Sequence, residues 1–301
     1  MDTIGLAEKL LFTTIKIESH DSNNNVCFGT GFFFSYVTRV GSEITSTDFI
    51  VTNRHVVENG ITGELSFIKR DLGNKPLLGD RLIFKFTEKF SKRWYFNENR
   101  SIDIAILPVT DLFLYFAYTG KPIFYMPISN ENMLNEASLK EIDALEEIVF
   151  VGYPYGLWDE KNFLPVFRKG ITASPITVDF NGEKKFLIDA SVYEGSSGSP
   201  VFLFNKGQYS PKTGGIKMGT RLSFLGILSK GYDIPVIGEM DSIVERETKT
   251  MKSKERKVEY PLSEQALDIG VVINASAIVD TIAAFFPHFQ DWRKENLGVN
   301  Y

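Results

Sequence analysis

What most constrains this chain is its punctuation: short apolar, β-branched and aromatic runs, each closed by Gly, Pro, Asn, Asp or Ser. Thr13-Thr14-Ile15-Lys16-Ile17-Glu18 alternates with the two-residue period of a strand, and Val26 to Tyr36 is a β-rich run with Gly29 and Gly31 set into it. Phe49-Ile50-Val51-Thr52 reads as a short buried strand. Further strands are expected at 63–69, 80–88, 102–109, 147–154, 163–179, 184–191, 200–205, 222–229 and 267–273. The 25 Phe and 12 Tyr suit half-buried pleated surfaces. Many short strands between turns predict an all-β chain, barrels or a sandwich. Helices are expected at 3–12, at 138–145, and at 276–286, the last capped by Ser276 or Asn274 and stopped near Pro287. Residues 37–48 read as a polar loop, and 110–145 as an irregular connector separating two halves, 1–130 and 131–301.

Charge and cysteine content narrow the setting. The formal net charge of −5 gives no general attraction to nucleic acid or an anionic membrane, so neither is expected as a partner. Cys27 is the one cysteine, so the core must hold without an intrachain disulfide, which suits a reducing compartment. The first residues lack the basic, apolar and small-residue succession of a secretion signal, and no apolar run is long enough to span a bilayer. The expected location is the cytoplasm. Residues 240–262 are dense in charge and read as a solvated loop or a short exposed helix.

Chemistry concentrates in Glu194-Gly195-Ser196-Ser197-Gly198-Ser199-Pro200-Val201, a glycine-serine turn between two apolar runs. Glycines there let consecutive N–H groups face one hollow, and a hydroxyl held in it is placed for nucleophilic attack. On its own such a stretch is as easily a surface turn, so the case depends on a base and an acid. Of three histidines, His20 falls in a polar turn and His288 at the end of the terminal helix, where solvated or structural roles are the default. His55 follows directly on the Phe49–Thr52 strand, where a barrel wall can hold the ring and leave one edge free. Asp103 lies among apolar residues in Ile102-Asp103-Ile104. It is either on the exposed face of an alternating strand or buried with a partner, since an unpaired buried carboxylate costs several kcal/mol.

Thr52-Asn53-Arg54-His55-Val56-Val57, Asp103-Ile104-Ala105-Ile106-Leu107 and Gly195-Ser196-Ser197-Gly198-Ser199-Pro200 occur in that order, with the His, Asp and Ser 48 and 94 residues apart. Together they resemble the trypsin/chymotrypsin superfamily, in particular the bacterial Deg/HtrA-like and glutamyl-endopeptidase-like group. Gly29-Thr30-Gly31-Phe32, Ile188–Ser191, Leu225–Ile227 and Asp268–Ile273 resemble flanking strands of that family, so the likeness covers most of residues 10–285. The resemblance implies two antiparallel β-barrels with the active site at their seam. It implies a serine endopeptidase acting on polypeptides, with no metal or organic cofactor. Ser197 would be the nucleophile, His55 the general base and acid, Asp103 the orienting carboxylate, and the N–H groups of Gly195 and Ser197 the oxyanion hole.

Departures from the family pattern matter equally. Ser196 replaces the aspartate that pairs with a freshly cut N-terminus in digestive members, so that zymogen switch is not expected. Ser191 stands where a trypsin-like specificity acid would lie, so a basic side chain at the cleavage site is not expected. Ser191, Gly226, Ile227 and Ser229 are the candidates to shape the substrate pocket, for a small or medium uncharged side chain. The other readings are a catalytically silent barrel scaffold that serves as a binding module, and a protease switched on by a partner protein through the 240–262 loop.

Overall fold

The two-residue period of a strand sends neighbouring side chains into different cores. The computed structural model describes residues 5–236 and 263–297, so the charged 240–262 segment lies outside the described residues. A short helix α1 (Leu6–Leu10) precedes β1 (Thr14–His20), β2 (Val26–Val40), β3 (Glu43–Thr52), the one-turn helix α2 (Arg54–Val57), β4 (Thr62–Arg70) and β5 (Pro76–Phe86). Next come β6 (Tyr95–Phe96), β7 (Ala105–Pro108), α3 (Thr110–Tyr118), β8 (Ile128–Ser129) and α4 (Glu136–Leu139). The second half holds β9 (Glu147–Gly152), β10 (Val166–Thr172), β11 (Lys185–Asp189), β12 (Pro200–Asn205), a small hairpin of β13 (Gln208–Tyr209) and β14 (Lys217–Met218), β15 (Arg221–Val236) and β16 (Ser263–Asn274). Helices α5 (Ala275–Phe285) and α6 (Phe289–Leu297) close the described chain.

Strands β10-β11-β16-β15-β12-β9 form a closed barrel. The first half is a sheet ordered β5-β4-β1-β2-β3-β7-β6, with β8 added parallel to β2. Its two ends do not pair, yet Phe84 and Phe86 of β5 pack into the same core as Ala105 and Leu107 of β7, so the sheet curls into a barrel around that core. Trp292 of α6 sits at the open seam, its indole N–H donating to the Arg93 carbonyl at 3.0 Å. The expected pair of barrels is thus present, one closed by hydrogen bonds and one closed by packing.

In β3, Ile50 enters the first barrel's core, whereas Phe49 and Val51 enter a second cluster shared with Phe202, Phe224 and Ile227 of the other barrel. In β2, Phe33 divides from Phe32 and Phe34 in the same way. A strand with apolar residues on both faces glues two barrels together. Helix α5 adds Ile278, Ile282 and Phe285 to the shared cluster.

Several expectations are corrected. Residues 37–48 form the two arms of the β2–β3 hairpin, not a loop; the arms are mostly exposed on both sides, so no apolar alternation marks them. The irregular connector contains α3, whose seven apolar and aromatic residues in nine obscure a helical period. The 138–145 helix is one turn, placed earlier at Glu136–Leu139 and capped by Asn135. Asn274 is the N-cap position of α5, and Pro287 is the second residue of a 3₁₀ turn, Phe286–His288, that leads into α6 where a stop was expected. Proline is tolerated in a first turn because its missing N–H has no helical acceptor there.

Candidate active site

The histidine arrives by a sharp change of structure. β3 ends at Thr52, Asn53 remains extended (φ −80°, ψ 148°), and α2 then turns His55 outward while Val56 and Val57 anchor it in the core. Asp103 comes from the turn just ahead of β7, not from a strand face. The Asn53 amide donates to its main-chain carbonyl at 2.8 Å, fixing that turn against the end of β3. Its carboxylate accepts from the His55 backbone N–H at 3.0 Å, lies 2.6 Å from His55 Nδ1, and accepts from the Ser229 hydroxyl at 2.8 Å.

An ionised carboxylate can only accept, so Nδ1 carries the proton and Nε2 is left as an open acceptor. Burial alone would push the Asp103 carboxyl up. The hydrogen bonds and charge of His55, then the Ser229 hydroxyl, outweigh it and hold the group below its ordinary value.

The glycine-serine turn depends on close backbone approach. Gly195 and Gly198 have φ of +82° and +89°. A Cβ on Gly198 would lie 1.8 Å from the Thr30 carbonyl oxygen, so no side chain fits there. Thr30 ties the turn together. Its N–H donates to the Ser197 carbonyl at 2.9 Å, its hydroxyl donates to the Gly195 carbonyl at 2.9 Å, and the same hydroxyl accepts from Tyr153 N–H at 3.1 Å.

The Glu194 carbonyl accepts from Tyr155 N–H at 2.5 Å. In a trans peptide the N–H points opposite to the C=O, so this bond turns the Gly195 N–H away from Tyr155. Among the described residues, neither Gly195 N–H nor Ser197 N–H has a hydrogen-bond acceptor, although Gly195 is buried. Two unpaired donors beside a serine hydroxyl can receive an oxyanion.

Ser197 and His55 line one cleft of about 550 Å³ together with Gly195, Val26, Phe28 and Tyr155. The Ser197 hydroxyl donates to the Ser229 carbonyl at 2.8 Å. Cys27 also faces the cleft, but burial and then the Glu194 charge push its thiol up, which keeps it protonated and weakly nucleophilic.

The structure therefore brings together His55, Asp103, Ser197 and Gly195. It does not bring Gly226 or Ile227 to the cleft: Ile227 is fully buried in the shared core, and the Cβ position of Gly226 falls 2.0 Å from the Ile273 carbonyl oxygen. Both belong to the barrel wall where β15 pairs with β12 and β16. Ser229 reaches the site, though through Asp103 and Ser197. It is the extra residue of a register shift between Leu228 and Lys230, a bulge that re-aims its side chain. Ser191 is half-buried, and its carbonyl accepts from the Arg168 guanidinium at 3.1 Å.

His20 ends β1 opposite Val26 and Thr62, not in a turn, and the His288 ring stacks on Tyr95. Sequence reasoning missed Thr30, Asn53 and Tyr155. Thr30 stood in plain view as the middle of Gly29-Thr30-Gly31, but only its partners across the fold give it a role.

The sequence profile of the trypsin-like peptidase domain matches residues 29–209. No curated protein matches the chain by sequence. Among solved structures, the chain is similar to Rv3671c from M. tuberculosis H37Rv, an inactive serine-to-alanine mutant (16% identity, 91% of this chain and 87% of that one, TM-score 0.42). It is also similar to a serine endoprotease from Yersinia pestis (13%, 93% and 65%, 0.45) and to the HtrA-type protease AlgW with tripeptide (12%, 94% and 62%, 0.43). The chain spans just under two thirds of each of the latter two. No helix among the described residues is long and apolar enough to cross a membrane.

Proposed function

The chain belongs to the trypsin-like peptidase family, and from that premise we propose that it is a serine endopeptidase hydrolysing polypeptides through an acyl-enzyme in the cytoplasm. The observation that carries this reading is the Asp103 carboxylate 2.6 Å from Nδ1 of His55, whose ring lines one cleft with Ser197 and Gly195, the two residues with unpaired N–H donors.

The chemistry follows from those positions. Ser197 Oγ rotates from the Ser229 carbonyl to the open Nε2 of His55, which takes its proton as Oγ attacks the scissile carbonyl carbon. Negative charge developing on the carbonyl oxygen is received by the N–H groups of Gly195 and Ser197, each such donor contributing about 2.7–4 kcal/mol in comparable sites. Asp103 stays ionised, keeps the imidazole in the useful tautomer and stabilises the imidazolium. His55 then gives the proton to the leaving amine, the C–N bond breaks, and an ester to Ser197 remains. Water, deprotonated by the same imidazole, hydrolyses it.

The Ser197 hydrogen bond to Ser229 favours a second reading: a silent or partner-activated site whose nucleophile is held off its base. Intact-mass labelling with a fluorophosphonate separates the two. One adduct on the native chain, absent from Ser197→Ala, is the expected result. A native chain that takes no adduct after prolonged incubation refutes the endopeptidase reading for the isolated protein.

A further inference from the structure

The turn that fixes the oxyanion donor is itself held from the other barrel. Pro154–Gly156 forms a 3₁₀ turn in which Tyr155 adopts φ +51°, a left-handed conformation uncommon for a non-glycine residue. This turn touches the Glu194–Gly195 peptide twice. Tyr155 N–H donates to the Glu194 carbonyl at 2.5 Å, and the Tyr153 carbonyl oxygen lies 2.5 Å from where a Gly195 Cβ would be. The plane of that peptide, and with it the aim of the Gly195 N–H, is set by where the 153–156 turn sits.

The segment after the turn carries Trp158 and Phe163, and both rings dock on cations of the first barrel. Lys16 Nζ of β1 lies 5.0 Å from the Phe28 ring centre and 4.8 Å from that of Trp158. The Arg81 guanidinium of β5 lies 5.1 Å from Trp158 and 4.7 Å from Phe163. Ring and cation thus alternate in the order Phe28, Lys16, Trp158, Arg81, Phe163. Lys16 is nearly buried and is further held by Glu18 at 2.8 Å. Trp158 also meets the ring of Tyr153 edge-on, with centroids 6.1 Å apart. Phe28 is both the first ring of this stack and a wall of the cleft.

We propose that Trp158 is a positioning residue for the oxyanion donor. Clasped between Lys16 and Arg81, it holds the 153–156 turn against Glu194–Gly195, so that the catalytic peptide of one barrel is set by cations of the other. Each cation–ring contact is partly desolvated, the circumstance in which such contacts are strongest. No atom of Trp158 needs to touch substrate for this to work.

The inference rests on the endopeptidase reading for its kinetic consequence, but it has a readout that does not need activity. The experiment compares native protein, Trp158→Ala, Trp158→Phe and Lys16→Met by fluorophosphonate acylation rate, kcat and KM on a peptide substrate, and hydrogen exchange at the Tyr155 amide. Complete loss of one oxyanion donor costs about 10²–10³ in kcat, so the partial misalignment in Trp158→Ala is expected to cost about 10–100-fold in kcat and acylation. KM stays within about twofold, and Tyr155 exchange quickens by at least about tenfold while barrel-core amides keep their protection. Trp158→Phe, which still offers a ring to both cations, restores most of the loss, and Lys16→Met falls between. Native acylation and undiminished Tyr155 protection in Trp158→Ala overturn the inference. So does a loss shared equally by all amides, which would make Trp158 a general stability residue. If the native protein takes no label, the endopeptidase reading fails, and the Tyr155 exchange comparison still decides the role of Trp158.

Discussion

Replacing Gly195 by alanine tests the oxyanion geometry most directly. The new Cβ would lie 2.5 Å from the Tyr153 carbonyl oxygen, 2.9 Å from Tyr155 N and 3.2 Å from Gly156 N. All three are main-chain atoms, so no rotamer change relieves the overlap, and either the 153–156 turn or the 194–196 turn must move. The residue's φ of +82° adds about 1–2 kcal/mol of strain for any side chain with a Cβ. Movement lengthens the 2.5 Å bond from Tyr155 N–H to the Glu194 carbonyl and swings the Gly195 N–H off its line.

Loss of one such donor is worth about 2.7–4 kcal/mol, so kcat should fall about 10²–10³-fold with KM nearly unchanged. The matched control is Gly182→Ala. Its φ is +74° with nothing within 4 Å of the new Cβ, so it carries the backbone strain without the collision. Steady-state kinetics on a chromogenic peptide, with Tm for each variant, is the assay. Both variants should lose a few degrees of Tm, and only Gly195→Ala should lose kcat. If Gly195→Ala keeps kcat within about threefold of Gly182→Ala, the turn is not the oxyanion site and the reasoning fails.

Two further outcomes are expected elsewhere. The Asp103 carboxyl is held below its ordinary value of 3.8, so the stability it contributes is complete above that pH and is lost as pH falls through its lower folded value. Ser229→Ala removes one of the bonds that lower it, so acid unfolding followed by circular dichroism should begin at higher pH than in the native protein; an unshifted acid limb would show that the Ser229 hydroxyl contributes nothing to the carboxylate. Glu146 and Arg221 form an ion pair with side chains 6% and 10% exposed. Glu146→Ala strands the guanidinium and should cost about 3–5 kcal/mol in urea unfolding while leaving kcat unchanged, and a cost below about 1 kcal/mol would mean Arg221 is satisfied by Asn205 and Tyr209 alone.

The sequence by itself determined what is local. Alternation in Ile15-Lys16-Ile17 and the short apolar run Phe49-Ile50-Val51 before a polar stretch specified strands, because a two-residue period fits only one backbone conformation and a short β-branched and aromatic run suits a buried strand. The glycines of Gly195-Ser196-Ser197-Gly198 specified a turn that side chains would block, and the overlaps at Gly195 and Gly198 bear this out. Where the local signal is symmetric, the reading failed. The 37–48 hairpin is exposed on both faces, and α3 is apolar on most of its circumference, so neither displays its own period.

What only the tertiary structure decided is which distant groups meet. Thr30 and Gly195 are 165 residues apart, Asp103 and Ser229 are 126 apart, and a hydrogen bond between them leaves no trace in the composition of either neighbourhood. Gly226 and Ile227 read as pocket wall but lie in the barrel wall, whereas Ser229, left over by a bulge in β15, reaches the Asp103 carboxylate and the Ser197 hydroxyl. A one-residue change of register exchanges the two faces of a strand, and the shift at Ser229 shows only in the pairing of β15 with β16. Tyr155 contributes a backbone N–H, which every residue but proline possesses. Its importance comes from the place where the fold puts it.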